Sequence, residues 1–530
     1  MPVALQSERR ATRAIQDCHS ASRPVALASR PAAVRASSHA HCSRATRALA
    51  LLLPCSLLLS ACKPVGPNYN RPGYNAPAAY KETGASSVTP PPNPTGGAWR
   101  PANPSDGMLK GKWWEIYNDP ELNRLEERIA TDNVQLKQAL ETYLAARDQV
   151  AVQRANLFPT LSAGMGAQGE KYSANAPLWN KSNSTTYGDY TLAGQASWEP
   201  DFWGRVRRSV EQARASAQAS AAQAAAVDLT LQAEMATDYF ALRGLDSQIK
   251  LLTETVADLQ RQLDLTQRRL AGGVATQVDV AQAETQLETV RAQLVDLGVA
   301  RAQYEHAVGT IANYDLSTFS IPPSPLNLPL PGIPLGVPSQ LLERRPDIAT
   351  EERLAAAANA QIGIAVSAFY PSIALSATGG FQSAHPGTWI QGPSAMWTLG
   401  AQATELLFDA GQRHALTDAA RHSYEAQADG YRNTIFAAFE DVEDQLANLR
   451  ILESEAQVEQ RAVDAAQRSF NLSNGRYKGG VTSYLEVLTA EQALLQNQVT
   501  AINIESRQFA ASVSLIRALG GGWDTSQLPK

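Results

Sequence analysis

The sequence predicts a mainly α-helical chain with short membrane β-strands, arranged as two repeats of a β-hairpin followed by a long helical hairpin. Landmark residues recur at matching spacing, and long proline-free segments of helix-forming residues follow short runs that alternate apolar and polar residues. The chain has 530 residues, 44% of them hydrophobic, so it is long enough for several buried cores. Its net charge of −5 offers no excess of positive charge for a nucleic-acid partner.

The first element is a leader with a lipoprotein signal peptide over residues 1–61. Arg44 and Arg47 precede the apolar run Ala48–Leu59, and small residues follow it, which is the order of an export signal. The run is about a dozen residues long, well short of the ~20 that a spanning helix needs. Residues 1–43 exceed what an export leader requires and reflect either an upstream start codon or an unusual n-region.

Cys62 is the expected site of a covalent lipid, and no other cofactor is expected. The stretch Leu59-Ser60-Ala61-Cys62 resembles the bacterial lipobox, whose cysteine receives a diacylglycerol before cleavage. Lys63 follows, where an aspartate would resemble an inner-membrane retention signal, so delivery to the outer membrane is favoured. An ordinary signal peptide with a coincidental cysteine is the alternative. The remaining cysteines all lie in the leader: Cys18, Cys42 and Cys55.

Residues 62–112 are expected to form an acylated N-terminal tether. This stretch is rich in Pro, Gly, Ala, Ser and Asn, with Thr89-Pro90-Pro91-Pro92-Asn93-Pro94 at its centre. Such a composition suits an extended segment more than a packed element. The tether would connect the lipid anchor to the folded part of the chain.

An internal duplication organises the rest of the chain. Gly204 and Gly273 lie 69 residues apart, and so do Gly411 and Gly480. Equal spacing between matching landmarks is the signature of a repeated structural unit. The predicted units are repeat 1 (113–313), a Pro-rich linker (314–345), repeat 2 (346–522) and a C-terminal tail (523–530).

Each repeat is expected to end in a long helical hairpin, over residues 204–313 and 411–519. At 1.5 Å per residue, the longer helix of each hairpin would reach roughly 100 Å. Gly pairs at 272–273 and 479–480 mark the helix-to-helix turns. Apolar residues at alternating spacings of four and three predict a coiled-coil seam, with Thr266 in the remaining place: Leu252, Val256, Leu259, Leu263 and Leu270.

Two β-hairpins, Pro159–Glu199 and Pro371–Phe408, are expected ahead of the helical hairpins. Their runs of about ten residues alternate with period two, which is the length and pattern of a tilted membrane strand. Leu192 and Leu375 fall on the apolar face, whereas Thr191 and Gln195 fall on the opposite one. Soluble hairpins packed on helices are the alternative. Because four strands cannot close a membrane barrel, two, three or four copies would have to share one.

Five stretches in the same order resemble the TolC-like outer-membrane efflux factors, in particular their NodT-type lipoprotein branch. They are Val65–Pro72, Trp113–Leu122, Leu342–Ile348, the Arg-Tyr-x-x-Gly of the second helical turn and Ala518–Trp523. The resemblance implies a homotrimer with a twelve-stranded outer-membrane β-barrel continued by a twelve-helix periplasmic α-barrel. It also implies two protein partners, a periplasmic adaptor and an inner-membrane resistance-nodulation-division pump.

The two helical turns are the expected docking rim for the adaptor. Each turn has an arginine, a glycine pair, a hydroxyl and an acid at the same offset of 207. These residues are Arg269, Gly272, Gly273, Thr276 and Asp279 in the first turn, and Arg476, Tyr477, Gly479, Gly480, Ser483 and Glu486 in the second. A purely structural turn explains part of this pattern. Relatives often carry a gating acid before the second Arg-Tyr, whereas this chain has Asn474 and Gly475 there.

The stretch Arg344-Arg345-Pro346-Asp347 has the chemistry of a helix start, because proline suits the first turn and aspartate meets the positive helix end. A salt bridge can explain the arginines, and a direct substrate role is the alternative.

No motif of enzymatic chemistry is found: G-x-S-x-G, P-loop and H-E-x-x-H patterns are absent from the sequence. The histidines after the leader are scattered and predict surface or packing residues: His306, His385, His414 and His422. The acids Asp441, Glu443 and Asp444 favour a solvated helix face, with a catalytic role or a tunnel lining as the alternatives. Together with the resemblance to the efflux factors, this implies a passive outer-membrane exit duct of a tripartite efflux system. A channel for type I protein secretion and a periplasmic coiled-coil tether without a pore are the alternatives.

Overall fold

The computed structural model describes residues 63–74, 76–77, 80–82, 111–171, 173, 186–333 and 341–529. The leader, the lipidation site Cys62 and most of the predicted tether lie outside these residues.

The helices of the described chain are α1 (Pro120–Asp132), α2 (Val134–Ala155), α3 (Arg205–Ala271), α4 (Gln277–Ile311), α5 (Pro346–Ser367), α6 (Gln412–Lys478) and α7 (Tyr484–Ala518). The strands are β1 (Thr160–Lys171), β2 (Thr186–Trp198), β3 (Ser372–Ser383) and β4 (Ala395–Thr404). Short helical turns lie at Trp113–Tyr117, Leu341–Arg344, Pro386–Thr388, Gly392–Ser394 and Thr525–Gln527.

The chain repeats one series of elements twice. The order helix, two strands, long helix and shorter helix runs from α2 to α4 and again from α5 to α7. The long helices α3 and α6 have 67 residues each, and the shorter helices α4 and α7 have 35 each. At 1.5 Å per residue, each long helix spans about 100 Å. No helix in the described residues is long and apolar enough to cross a membrane.

Two apolar cores, at different heights along the helices, hold the two helical hairpins together. Near the turns, Leu252, Leu259 and Leu263 of the predicted seam pack with residues of α4, α6 and α7. Val256 and Leu270 are partly buried against this cluster, and Thr266 is buried. Farther along the helices, Trp113, Tyr117, Phe240 and Phe509 lie in a larger core that also takes in α1. Both cores combine residues of the two repeats, so the hairpins form one packed body.

The four strands form one antiparallel sheet in the order β1-β2-β3-β4. Leu192 at the centre of β2 lies opposite Met165 of β1 and Phe381 of β3. Leu375 of β3 lies opposite Trp198 of β2 and Ala401 of β4. The pairing between β2 and β3 joins the two repeats.

The described part of the predicted tether is packed rather than free. Residues 63–74 have no regular secondary structure, yet the side chain of Arg208, 2% exposed on α3, donates to the carbonyl oxygens of Val65 (3.1 Å) and Gly66 (3.2 Å). The hydroxyl of Tyr69 donates to Glu352 on α5 at 2.7 Å. A buried guanidinium needs several acceptors, and the backbone of an extended segment supplies them. The prediction of an unpacked tether is therefore wrong for residues 63–74. These residues pack along the helices, and we call them the strap.

Candidate channel wall and helical tips

The sheet has one apolar and one polar face. Directly opposed residues of an antiparallel pair point to the same side, so the register collects each set on one face. The apolar face contains Leu161, Met165, Tyr190, Leu192, Trp198, Leu375, Phe381, Trp397 and Leu399, and the opposite face contains Ser162, Gln168, Asp189, Thr191, Gln195, Thr378, Gln382, Thr398 and Gln402. Met165 is 75% exposed and Trp397 is 76% exposed. An exposed apolar face opposite a polar one suits a wall between lipid and water.

The sheet ends in two open edges within the described chain, because β1 pairs only with β2 and β4 pairs only with β3. Unpaired backbone N–H and C=O groups are not tolerated in the hydrocarbon region of a membrane. Strands of further copies of the chain would have to cover both edges.

The connection from β2 to α3 and the connection from β4 to α6 have the same local structure. Gly204 and Gly411 precede α3 and α6 with φ of 83° and 89°, a conformation that favours glycine. The carboxylate of Asp201 accepts from the backbone N–H groups of Val206 (3.0 Å) and Arg207 (2.9 Å), and also from the side chain of Arg207. Asp409 accepts in the same manner from Arg413. These contacts satisfy helix N–H groups that would otherwise lack partners, and so stabilise the start of each long helix.

The two helical turns, which we call tip 1 and tip 2, have the same backbone structure. In tip 1, Val274 N–H donates to the Arg269 carbonyl (2.8 Å) and Gly273 N–H donates to the Leu270 carbonyl (2.9 Å). This is a Schellman motif, and Gly273 and Gly480 hold its left-handed position with φ of 73° each. Tip 2 repeats the same two bonds from Val481 and Gly480. Gly272 and Gly479 have ordinary negative φ values.

The hydroxyl and acid after tip 1 have a helix-capping role. Thr276 accepts from the Asp279 N–H at 3.2 Å, and the Asp279 carboxylate accepts from the Thr276 N–H at 2.7 Å. The pair is a capping box at the start of α4. At tip 2, Ser483 makes no side-chain cap bond, and Glu486 lies in the first turn of α7. For Thr276 and Asp279, local structure therefore accounts for residue types that the sequence alone led us to assign to docking.

The tips are joined to each other by Arg269. Its guanidinium donates to the carbonyl of Tyr477 at 3.2 Å and lies 4.5 Å from the centre of the Tyr477 ring. Tyr477 packs against Tyr484 with ring centres 5.5 Å apart. Arg476 supplies the carbonyl that closes tip 2, and Asn474 lines a cleft of about 380 Å³ beside Tyr477. The Arg476-Tyr477 stretch of tip 2 thus forms part of the contact between the repeats.

The Arg-Arg-Pro-Asp stretch clamps three helices. Pro346 begins α5, and the guanidinium of Arg345 donates to Asp347 at 2.7 Å. The same guanidinium donates to Asp441 of α6 at 3.2 Å and to the carbonyl of Ala518, the last residue of α7, at 3.0 Å. The expected helix start and salt bridge are both present. The backbone of Arg344 passes so close to Gly520 that a β-carbon there would lie 2.2 Å from its carbonyl oxygen.

Two of the acids expected on a solvated helix face have protein partners. Asp441 pairs with Arg345, and Glu443 accepts from the backbone N–H groups of Lys81 (2.7 Å) and Glu82 (3.1 Å), which belong to the predicted tether. His306 and His422 are exposed, and the ring of His414 contacts Phe369. Across the described ranges, no group of three or more His, Cys, Asp or Glu side chains could hold a metal ion.

A two-faced antiparallel sheet joined to helical hairpins about 100 Å long defines an outer-membrane channel that extends into the periplasm. The chain belongs to the outer membrane efflux protein family, whose model matches residues 127–313 and 337–521. The predicted family and fold class are confirmed, and the family is one of transport ducts rather than enzymes. The chain is the outer-membrane channel of an efflux system.

Similar proteins span nearly the whole chain. The antibiotic efflux pump outer membrane protein ArpC of Pseudomonas putida is 31% identical over 480 residues, which cover 90% of this chain and 96% of that relative. The pyoverdine export outer membrane protein OpmQ of Pseudomonas aeruginosa is 30% identical over 455 residues, which cover 84% and 95%. The solved outer-membrane channel OprN matches with a TM-score of 0.78 and 26% identity, over 87% of this chain and 99% of that one.

Proposed function

We propose that three copies of this chain assemble into one passive exit duct for small molecules. The observation that carries this proposal is the two-faced sheet with two open edges. Pairing β4 of each copy with β1 of the next closes twelve strands around the polar face, and α3, α4, α6 and α7 of three copies supply twelve helices below. A closed barrel satisfies every backbone group in lipid. The family resemblance favours three copies over two or four.

Native mass spectrometry in detergent and conductance in planar bilayers test the duct together. We expect a trimer that conducts ions. A stable monomer would remove the barrel, and a trimer without conductance would favour a coiled-coil tether that has no pore.

We propose that the tips form the periplasmic mouth and receive a periplasmic adaptor, which links the duct to an inner-membrane resistance-nodulation-division pump. The sheet and the tips lie at opposite ends of α3 and α6, so the tips are farthest from the outer membrane. Val274 in tip 1 and Val481 in tip 2 occupy equivalent positions and are each 69% exposed. A β-carbon at Gly273 or Gly480 would meet no described atom within 4 Å. Exposed apolar residues around an open turn suit a protein partner.

We propose that Cys62 carries a lipid that enters the outer membrane beside the sheet. Three residues farther along the chain, the N–H of Val65 donates to the carbonyl of Trp203 at 3.0 Å, where the sheet meets α3. The ring of Trp203 stacks on Tyr370 with centres 4.9 Å apart. Aromatic residues at the end of membrane strands mark the interface between lipid and water. This position of the strap supports the insertion of a lipid on Cys62 into the membrane beside the sheet.

The cargo is proposed to be small organic molecules selected by the pump. Relatives of nearly equal similarity are named for antibiotics and for pyoverdine, so similarity alone does not choose among cargoes. Deletion of the gene, followed by growth on a panel of antibiotics, solvents and metal ions, tests this. We expect increased sensitivity to one or more organic compounds. Unchanged growth on every compound would contradict an efflux role for drugs.

A further inference from the structure

A buried glutamate lies between the two helical hairpins, close to the tips. The side chain of Glu491 on α7 is 6% exposed, and its Oε1 accepts from Nε2 of Gln262 on α3 at 2.9 Å. Its Oε2 is buried and has no hydrogen-bond partner in the part of the chain that the structure describes. A buried carboxylate with one free oxygen is costly when charged, whereas a neutral carboxyl group is tolerated far better.

The burial of Glu491 comes from the packing of one repeat on the other. Glu284 occupies the equivalent position in repeat 1, at the same offset of 207, and it is exposed on α4. Helix α7 packs on α3 as well as on its own hairpin partner α6, and this additional contact covers Glu491. The duplication thus supplies the same residue twice, once in water and once at the contact between hairpins.

Polar bonds near Glu491 add to the apolar core between the hairpins. Gln262 joins α3 to α7, and Nε2 of Gln492 donates to Oε1 of Gln286 on α4 at 2.8 Å. Tyr484 on α7 interacts electrostatically with Glu491, and also with Tyr477 on α6 and Asp279 on α4. The cleft beside Tyr484 is further lined by Asp258 and Arg261 on α3 and by Lys478 on α6. Arg261 pairs with Asp258, and Asp279 bonds to Thr276. Among the described residues, Gln262 alone donates a hydrogen bond to the carboxyl group of Glu491.

We propose that Glu491 is a protonation switch that sets how firmly the second helical hairpin is held against the first near the tips. The neutral carboxyl group keeps α7 packed on α3, and the carboxylate loosens this contact. The consequence for the duct rests on the proposed role of the tips as its mouth, because a looser contact there would favour a wider opening.

The direction of the pH effect follows from burial. Burial raises the pKa of Glu491 to about 7 from its ordinary value of 4.5, and the bond from Gln262 only partly opposes this rise. When the hairpins separate, the carboxyl group returns to water and to its ordinary pKa, so separation at a pH between 4.5 and about 7 releases a proton. The contact is therefore strongest below about pH 4.5, weakens as pH rises to about 7, and changes little beyond. Between pH 5 and pH 8 the equilibrium constant for local opening should rise by about tenfold or more.

Hydrogen exchange on the purified full-length assembly tests the switch. Protection factors, corrected for intrinsic exchange, are measured for amides of α7 near Glu491 between pH 5 and pH 8. We expect wild-type protection to fall with rising pH and protection in Glu491→Gln to stay nearly constant. Glu284→Gln is the matched control and should behave like wild type. An unchanged pH dependence in Glu491→Gln would overturn the proposal.

A second variant separates the switch from a general packing defect. Gln262→Met removes the donor that stabilises the carboxylate, so it should move the midpoint of the pH dependence upward rather than abolish it. An unmoved midpoint would contradict the assigned role of Gln262 and Glu491. Conductance of the same proteins tests the proposed mouth separately from the switch. A pH-dependent protection without any pH-dependent conductance would keep the switch and refute the tips as the mouth.

Discussion

A lysine in place of Leu192 should weaken the assembled barrel more than a lysine at neighbouring positions. Leu192 lies six residues from the end of β2 at Trp198, about 20 Å along a strand at ~3.3 Å per residue. With a strand tilt of about 45°, this distance corresponds to ~14 Å of height, near the middle of an apolar band about 25 Å tall. Its opposed residues Met165 and Phe381 are apolar, so the new charge would find no partner on that face.

The expected cost of Leu192→Lys is about 2–4 kcal/mol per chain, the range measured for lysine at the midplane of membrane barrels. Leu375 lies opposite Trp198, the end of β2 from which the height of Leu192 is counted, so it is nearer the interface and Leu375→Lys should cost less. Thr191 lies beside Leu192 on the polar face, and Thr191→Lys is the matched control with little expected effect.

The assay is the thermal dissociation temperature of the purified assembly, together with the fraction of each variant recovered in the outer membrane. Stability should fall in the order Thr191→Lys, Leu375→Lys, Leu192→Lys. Equal damage by Thr191→Lys and Leu192→Lys would refute the assignment of the two faces. Wild-type stability of Leu192→Lys would refute the membrane location of the sheet.

Three further changes test the tips, the anchor and the helix clamp. Gly273→Leu combined with Gly480→Leu forces side chains into left-handed positions, at about 1–2 kcal/mol each, and should abolish efflux and adaptor crosslinking while trimers persist in the outer membrane. Cys62→Ser should prevent lipid attachment and lipoprotein-type processing, as measured by mass spectrometry of the N-terminal peptide, while assembly continues. Arg345→Ala should lower stability by about 1–3 kcal/mol in denaturant unfolding, because it leaves the Ala518 carbonyl unpaired while its acidic partners stay half exposed.

Each of these changes has a control or a contradicting outcome. Gly272→Ala with Gly479→Ala should preserve efflux, because both residues have ordinary backbone angles. Normal efflux in the double leucine variant would refute docking at the tips. An unmodified Cys62 in the wild-type protein, or a mature chain that starts elsewhere, would contradict the anchor. Arg344→Ala should cost less than Arg345→Ala, since the side chain of Arg344 forms no ion pair within the described ranges.

The sequence was sufficient for the features that repeat at short range. Alternation over about ten residues identified the four strands, and their register places Leu192 and Leu375 together on the predicted apolar face. The spacing of Leu252, Leu259 and Leu263 identified a seam that is buried in the structure. These patterns can be recognised in the sequence because residues at a fixed spacing lie on the same face of a strand or helix.

The tertiary structure decided what depends on residues far apart in the chain. The side chain of Arg208 binds the segment after Cys62 against α3, although the composition of that segment favoured a free tether. Glu284 and Glu491 are equivalent in the repeated sequence, yet only Glu491 is covered by the other hairpin. Local periodicity determines which face a side chain occupies on its own helix, whereas burial and hydrogen-bond partners depend on which helix packs against that face. The duplication could therefore be read from the sequence, and the difference between its two copies arises only when they pack on each other.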